Sequence, residues 1–137
     1  MATMSIAILC CGGTIDKNYY DAKSDYRIGA PAAEDILRRA RVFHIAPPKS
    51  VMRKDSLDIT AAGRTRIANA ARQNRARRIV ITHGTDTMAQ TARAIVAALA
   101  KPPQKTKTIV LTGAFLPAKF RDSDADFNIG FALGAAG

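Results

Sequence analysis

The chain has 137 residues, of which 47% are hydrophobic, so it is long enough to bury one core and too apolar to be disordered. Lys and Arg number 21 against 11 Asp and Glu, for a net charge of +10. The apolar runs are too short or too interrupted by charge to span a bilayer, and the N-terminus lacks the pattern of a signal peptide, so a cytoplasmic protein without a membrane partner is expected.

In chain order, Ile6-Ala-Ile-Leu-Cys-Cys11 reads as a buried strand, and Gly12-Gly13-Thr14 turns sharply out of it. Neighbouring strand residues point to opposite faces, so Cys10 and Cys11 are poorly placed to bridge each other. With His44 and His83 distant in sequence, both cysteines read as small buried residues, and no metal site is expected. A polar stretch from Asp16 to Gly29 follows and reads as a long loop. Pro31 opens a helix over 32–41, Val42–Ile45 reads as a short strand ended by Pro47-Pro48, and Thr60 is placed to cap a helix from Ala61 to about Asn74. Arg78–Thr82 is a β-branched strand that leads through His83-Gly84-Thr85-Asp86-Thr87 into a helix over 86–99. Lys101–Lys107 is a turn, Thr108–Thr112 another buried strand, and Phe127–Gly137 an apolar last helix.

This alternation predicts an α/β fold: one domain over 1–137 with a mostly parallel sheet flanked by helices on both faces. In such sheets ligands sit at the carboxyl ends of strands. Three of those ends, Gly12-Gly13-Thr14, Gly84-Thr85-Asp86 and Gly113-Ala114, are expected to share one edge. The glycine patterns match neither the dinucleotide fingerprint nor the phosphate loop, so a nucleotide cofactor is not expected. Hydroxyls at strand ends suit nucleophilic attack on an acyl carbon, given a base and donors for the oxyanion. Each motif alone has a plainer reading: Thr85 and Asp86 as helix caps, Thr14 as a turn residue. The basic clusters Arg38-Arg39-Ala-Arg41 and Arg72–Arg78 fall where helices end, which cations favour, and no nucleic-acid motif accompanies them.

Taken together the motifs resemble the bacterial-type L-asparaginase family. Cys11-Gly-Gly-Thr-Ile15 is similar to its first motif and Ile81-Thr-His-Gly-Thr-Asp-Thr-Met88 to its second. Tyr26 within Ser24–Gly29 resembles its loop tyrosine, and Asp55–Thr60 its substrate-carboxylate segment. Val110–Pro117 with Ser123–Asn128 resembles its third core strand and following helix. The likeness runs in order over nearly the whole chain and is nearest to short, single-domain members.

What the resemblance implies is an amidohydrolase that releases aspartate and ammonia from L-asparagine, or acts on L-glutamine, through an acyl-enzyme and without cofactor or metal. Thr14 would be the nucleophile, assisted by Tyr26. Thr85 and Asp86 would form a second catalytic cluster, with a buried Asp86 carboxylate gripping the substrate ammonium. Ser56 would hold the substrate carboxylate, and Gly13, Leu57, Gly84 and Ala114 would complete the binding surface. A homo-oligomer is implied. By the resemblance the family's second-cluster lysine would lie beyond Gly137, and Lys107, which precedes the third core strand, is not its equivalent, so the expectation is a domain without its last strand, that lysine and a C-terminal domain. Leu57 stands where many relatives carry a polar side chain, and Phe115-Leu116 where Met-Arg is commoner. Two other readings stay open: an amino-acid-binding domain without turnover, and a basic nucleic-acid-binding module.

Overall fold

A computed structural model describes residues 5–20, 25–102 and 106–137. Six strands and four helices follow in the order β1 (Ile6–Gly12), β2 (Lys17–Tyr20), β3 (Asp25–Ile28), α1 (Ala33–Arg39), β4 (Lys49–Lys54), α2 (Ala61–Gln73), β5 (Arg78–Thr82), α3 (Met88–Leu99), β6 (Thr108–Thr112) and α4 (Ala125–Ala136). Four of the strands form a parallel sheet ordered β4-β1-β5-β6, while β2 and β3 make a separate antiparallel ribbon. The α/β class, the parallel sheet and its two covered faces are as the alternation predicts.

The register explains how the sheet is packed. Ile6 to Cys10 pair residue by residue with Arg78 to Thr82, and Arg78 to Thr82 with Thr108 to Thr112. Ile8, Cys10 and Val80 point into one core beneath α1 and α4, against Ile36, Leu37, Ile129 and Ala132. Leu9, Cys11, Ile79 and Ile81 point into the other beneath α2 and α3, against Ile67, Ala71 and Ile95. The central β5 is covered on both sides, with Ile79, Val80 and Ile81 fully buried. Cys10 and Cys11 lie on opposite faces as expected, and burial pushes both thiols up to about 12, which leaves them protonated at neutral pH.

Several elements differ from the sequence reading. The Asp16–Gly29 segment is more than a loop: a short 3-10 turn over Thr14–Asp16 leads into the β2–β3 ribbon, in which Tyr19 pairs with Tyr26. Positions 21–24 of that expected loop, 103–105 of the expected turn, and 1–4 lie outside the described residues. Val42–Ile45 is not a strand. α1 ends in a Schellman motif, where the Val42 amide donates to the Leu37 carbonyl at 2.9 Å and the Arg41 amide to the Arg38 carbonyl at 3.1 Å. The Val42 amide is thereby used up, and Val42 and Ile45 pack on the core as irregular chain. The strand that pairs with β1 is instead β4, a polar edge strand of which only Val51 is buried. The last two helices begin at Met88 and Ala125 rather than 86 and 127.

The expected helix-end role of the first basic cluster holds. Arg38 pairs with Asp35, and Arg39 bridges Asp35 to Asp126 of α4 at 2.9 and 2.6 Å. The Arg39–Asp126 pair ties α1 to α4, and exposed pairs of this kind are worth little individually. Thr60 caps α2 as expected, accepting from the Gly63 amide at 3.0 Å. No helix among the described residues is long and apolar enough to cross a membrane.

Candidate active site

Because the four sheet strands are parallel, the segments after β1, β4, β5 and β6 leave from one edge. Glycine geometry brings them into contact there. Gly12 and Gly13 hold φ of +89° and +84°, which side-chain-bearing residues rarely adopt. The Gly13 amide donates to the Lys54 carbonyl at 3.0 Å, fixing the β1 turn to the end of β4. A Cβ added at Gly13 would stand 2.5 Å from the Gly84 nitrogen, and one added at Gly84 would stand 2.7 Å from the Ser56 Cβ. The backbones after β1 and β5 therefore abut, with Ser56 packed against the second of them.

Thr14 follows Gly13 directly and is half-buried. The Asp16 amide donates to the Gly13 carbonyl at 3.1 Å and closes the turn that carries Thr14. Ser56 is fully buried, and its hydroxyl has no hydrogen-bond partner. Buried polar groups are rarely left so, and sites awaiting a ligand are one of the exceptions. Asp55 caps the short turn over Ser56–Asp58, accepting from the Leu57 amide at 3.2 Å and pairing with Lys17 at 3.2 Å. Partial burial works to raise the Asp55 pKa, but the Leu57 amide and the Lys17 ammonium hold it below the usual carboxylate range. Leu57 itself projects outward and is 72% exposed.

Thr85 and Asp86 are exposed at the approach to α3. Asp86 is therefore not the buried carboxylate expected, and no penalty for an uncompensated buried charge arises in this state. Neither residue caps α3. The N-cap is Thr87, which makes no side-chain cap. Its hydroxyl instead donates to the Ser56 carbonyl at 2.8 Å. The α3 N-terminus thus keeps uncapped amides and its positive dipole end beside Thr85 and Asp86.

His83, which the sequence reading gave no role, braces this segment from inside. It is fully buried, with Nδ1 2.7 Å from the Gly84 carbonyl and Nε2 2.8 Å from the Thr91 hydroxyl. A carbonyl only accepts, so Nδ1 carries the proton and Nε2 accepts from Thr91. Burial holds the imidazole below its ordinary pKa, which keeps it neutral. The segment after β6 is held similarly. Asp124 accepts from the Phe115 amide at 3.0 Å, the Leu116 amide at 3.1 Å and Asn128 Nδ2 at 2.8 Å. Asn128 also donates to the Gly113 carbonyl at 2.9 Å. Ala114 is buried between these anchors, and the Ala118 amide returns to the Ile15 carbonyl at 3.0 Å.

Tyr26 lies on β3, its ring 5.2 Å from Tyr19 and 6.3 Å from Phe120, centroid to centroid. No hydrogen bond among the described residues joins it to Thr14. With Lys17, Arg53 and Asp55 it borders an open depression of about 600 Å³. The structure thus gathers Gly13, Thr14, Ser56 and Gly84 at one point, sets Thr85, Asp86 and Ala114 on the adjoining segments, and leaves Tyr26 and Leu57 facing outward. Lys107 is at the opposite end of the sheet, where Nζ donates to the carbonyls of Asn74 and Ala76. Among the described residues, no group of three or more His, Cys, Asp or Glu side chains could hold a metal. Besides His83, Asp16 and Thr87 make buried or part-buried hydrogen bonds around this site that sequence reasoning passed over. Asp16 directly follows the first motif and Thr87 lies within the second, which is the one signal that pointed to them.

Comparisons with known proteins bear on this arrangement. The family model described as Asparaginase, N-terminal matches residues 5–137. The chain is 34% identical to the L-asparaginase of Thermococcus kodakarensis, an alignment that covers 95% of this chain and 40% of that protein. The solved structure of the thermostable L-asparaginase from Thermococcus kodakarensis superposes with a TM-score of 0.75 at 31% identity, covering 97% of this chain and 40% of that one. A probable cytoplasmic L-asparaginase from Campylobacter jejuni superposes with a TM-score of 0.72 at 25% identity, covering 98% and 42%. This chain spans about two fifths of the length of these relatives.

Proposed function

The chain belongs to the asparaginase family, and on that premise we propose that it hydrolyses the side-chain amide of L-asparagine, with L-glutamine as the competing substrate. The Thr14 hydroxyl attacks the amide carbon, and its proton passes by way of Tyr26 toward the leaving nitrogen. Ammonia departs, leaving an ester on Thr14, and water cleaves the ester to aspartate. Asp86 binds the substrate ammonium and Ser56 its carboxylate, while Thr85 acts with Asp86 on the second side of the site. Gly13, Gly84, Leu57 and Ala114 shape the cleft. Neither metal nor organic cofactor enters.

One observation carries this reading: the turn bearing Thr14 abuts Gly84, and the unpartnered Ser56 hydroxyl lies against Gly84. Tyr26 must swing inward from its perch on Tyr19 and Phe120 to reach Thr14, and its exposed position on the ribbon permits this. The test is ammonia release from both amides by wild type and by Thr14→Ala. The variant should lose at least about a hundredfold, the scale of losing a key catalytic group. Unchanged release would remove Thr14 from the mechanism.

The placement of Lys107 favours a second reading. With that ammonium bound at the far end of the sheet, Lys107 does not serve the Thr85-Asp86 cluster, and the domain would bind an amino acid without turning it over. Calorimetry would then show aspartate binding with no ammonia released. We also expect a homo-oligomer. Phe127 and Phe131 of α4 stack at 6.0 Å and are 71% and 70% exposed, an apolar surface that a second copy would cover. Light scattering that finds only monomer would refute this.

A further inference from the structure

We propose that Asp16 is a positioning residue of this site, clasping both legs of the Tyr26 ribbon to the turn that carries Thr14. This rests on the amidase reading for its consequence, but the clasp itself is a matter of geometry. Asp16 is 4% exposed and ends the Thr14–Asp16 turn. Its amide donates to the Gly13 carbonyl at 3.1 Å, before Thr14. Strand β2 leaves directly from it at Lys17. Its carbonyl accepts from the Gly29 amide at 2.8 Å, where β3 has just ended. Its carboxylate Oδ1 accepts from the Ala32 amide at 2.8 Å, at the start of α1. One residue therefore joins the nucleophile turn to the outgoing and the returning leg of the ribbon that bears Tyr26.

A neutral side chain could make the Ala32 bond, so the carboxylate calls for a reason. Burial pushes its pKa up to about 6, opposed by the Ala32 amide and the charge of Arg53 on β4. Its charge is felt by the neutral thiols of Cys10 and Cys11, on opposite faces of β1, and it feels that of Arg53 on β4. Asp16 also borders a surface pocket of about 370 Å³ shared with Lys17 of β2, Asp35 and Arg39 of α1, and Lys119 of the segment before α4. That pocket gives protons a route to a side chain that is otherwise enclosed. The ionised carboxylate makes a charge-assisted bond to Ala32, roughly twice as strong as a neutral one. Protonation weakens the clasp, and misplacement of a site by about 1 Å is enough to cost about a hundredfold in rate.

The experiment compares wild type, Asp16→Asn and Asp16→Ala by ammonia release across pH and by the amide resonances of Thr14, Ile15, Gly29 and Ala32. In wild type the four amides should shift with one midpoint at about pH 6, and kcat/KM should fall below the same pH. Asp16→Asn keeps an acceptor for Ala32 but is neutral at every pH. It should lose both the resonance midpoint and the acid limb, and settle a few-fold below the wild-type plateau. Asp16→Ala removes the acceptor and should fall about tenfold or more, mostly in kcat, so the conservative variant rescues most of the loss. Two outcomes overturn the inference: Thr14 and Ile15 resonances that ignore a titrating Ala32, or an acid limb that survives in Asp16→Asn. If the four amides titrate together while no variant releases ammonia, the clasp stands and the amidase reading falls.

Discussion

Replacing Asp16 by Asn should make the fold more stable at neutral pH and leave its stability unchanged in acid. Asp16 is almost wholly buried, and burial raises its pKa from 3.8 to about 6 despite the Ala32 amide and Arg53. The native state thus holds this proton more tightly than the unfolded chain does. The stability attached to the protonated form is complete below about pH 4 and is lost as the pH rises through about 6. At 1.36 kcal/mol for each tenfold change in proton affinity, the ionised group costs the fold about 3 kcal/mol at neutral pH. Asn has nearly the same shape, keeps Oδ1 for Ala32 and carries no charge. Urea unfolding at about pH 7.5 should therefore find Asp16→Asn more stable by about 2–3 kcal/mol, and at about pH 4 the two proteins should agree within about 0.5 kcal/mol. His83 does not confound the comparison. Burial depresses its pKa, so its contribution is present above about pH 6.5 and lost as the pH falls, equally in both proteins. A variant no more stable than wild type at about pH 7.5 would refute the account of Asp16 as an uncomfortable buried charge. A gain in stability joined to a loss of activity is what a group kept for positioning should show.

Four further outcomes follow from named geometry. Arg41 holds φ at +58° in the left-handed position that ends α1, so Arg41→Gly should stabilise by about 1 kcal/mol, read from the urea midpoint. Gly13→Ala should destabilise by more than about 2 kcal/mol, because it combines a strained φ with a Cβ placed 2.5 Å from the Gly84 nitrogen. Gly130→Ala in the exposed interior of α4 meets nothing within 4 Å and should stabilise by about 0.5–1 kcal/mol in the same assay. Thr87→Val removes the 2.8 Å bond to the Ser56 carbonyl and should cost about 1 kcal/mol. In ammonia-release kinetics it should raise KM more than it lowers kcat, since it loosens the residue proposed to hold the substrate carboxylate.

What the amino-acid order determined unaided were the elements whose cause is local. β5 and β6 are continuous β-branched runs, Thr60 is a capping hydroxyl ahead of a helix, and Gly12-Gly13 can only be a turn requiring positive φ. The parallel sheet followed from the alternation of strands with helices, and with it the shared edge where Thr14, Thr85 and Ala114 emerge. Tertiary structure alone decided the rest, because the deciding contacts join residues far apart in the chain. β4 carries too few apolar residues to announce itself and becomes a strand only because β1 offers it an open edge. Val42 surrenders its amide to Leu37 and leaves the sheet. Thr87 forgoes its own helix to reach Ser56, 31 residues earlier. Asp16 reads as one more polar loop residue until the fold brings Gly29 and Ala32 to it, and burial then changes what its charge costs.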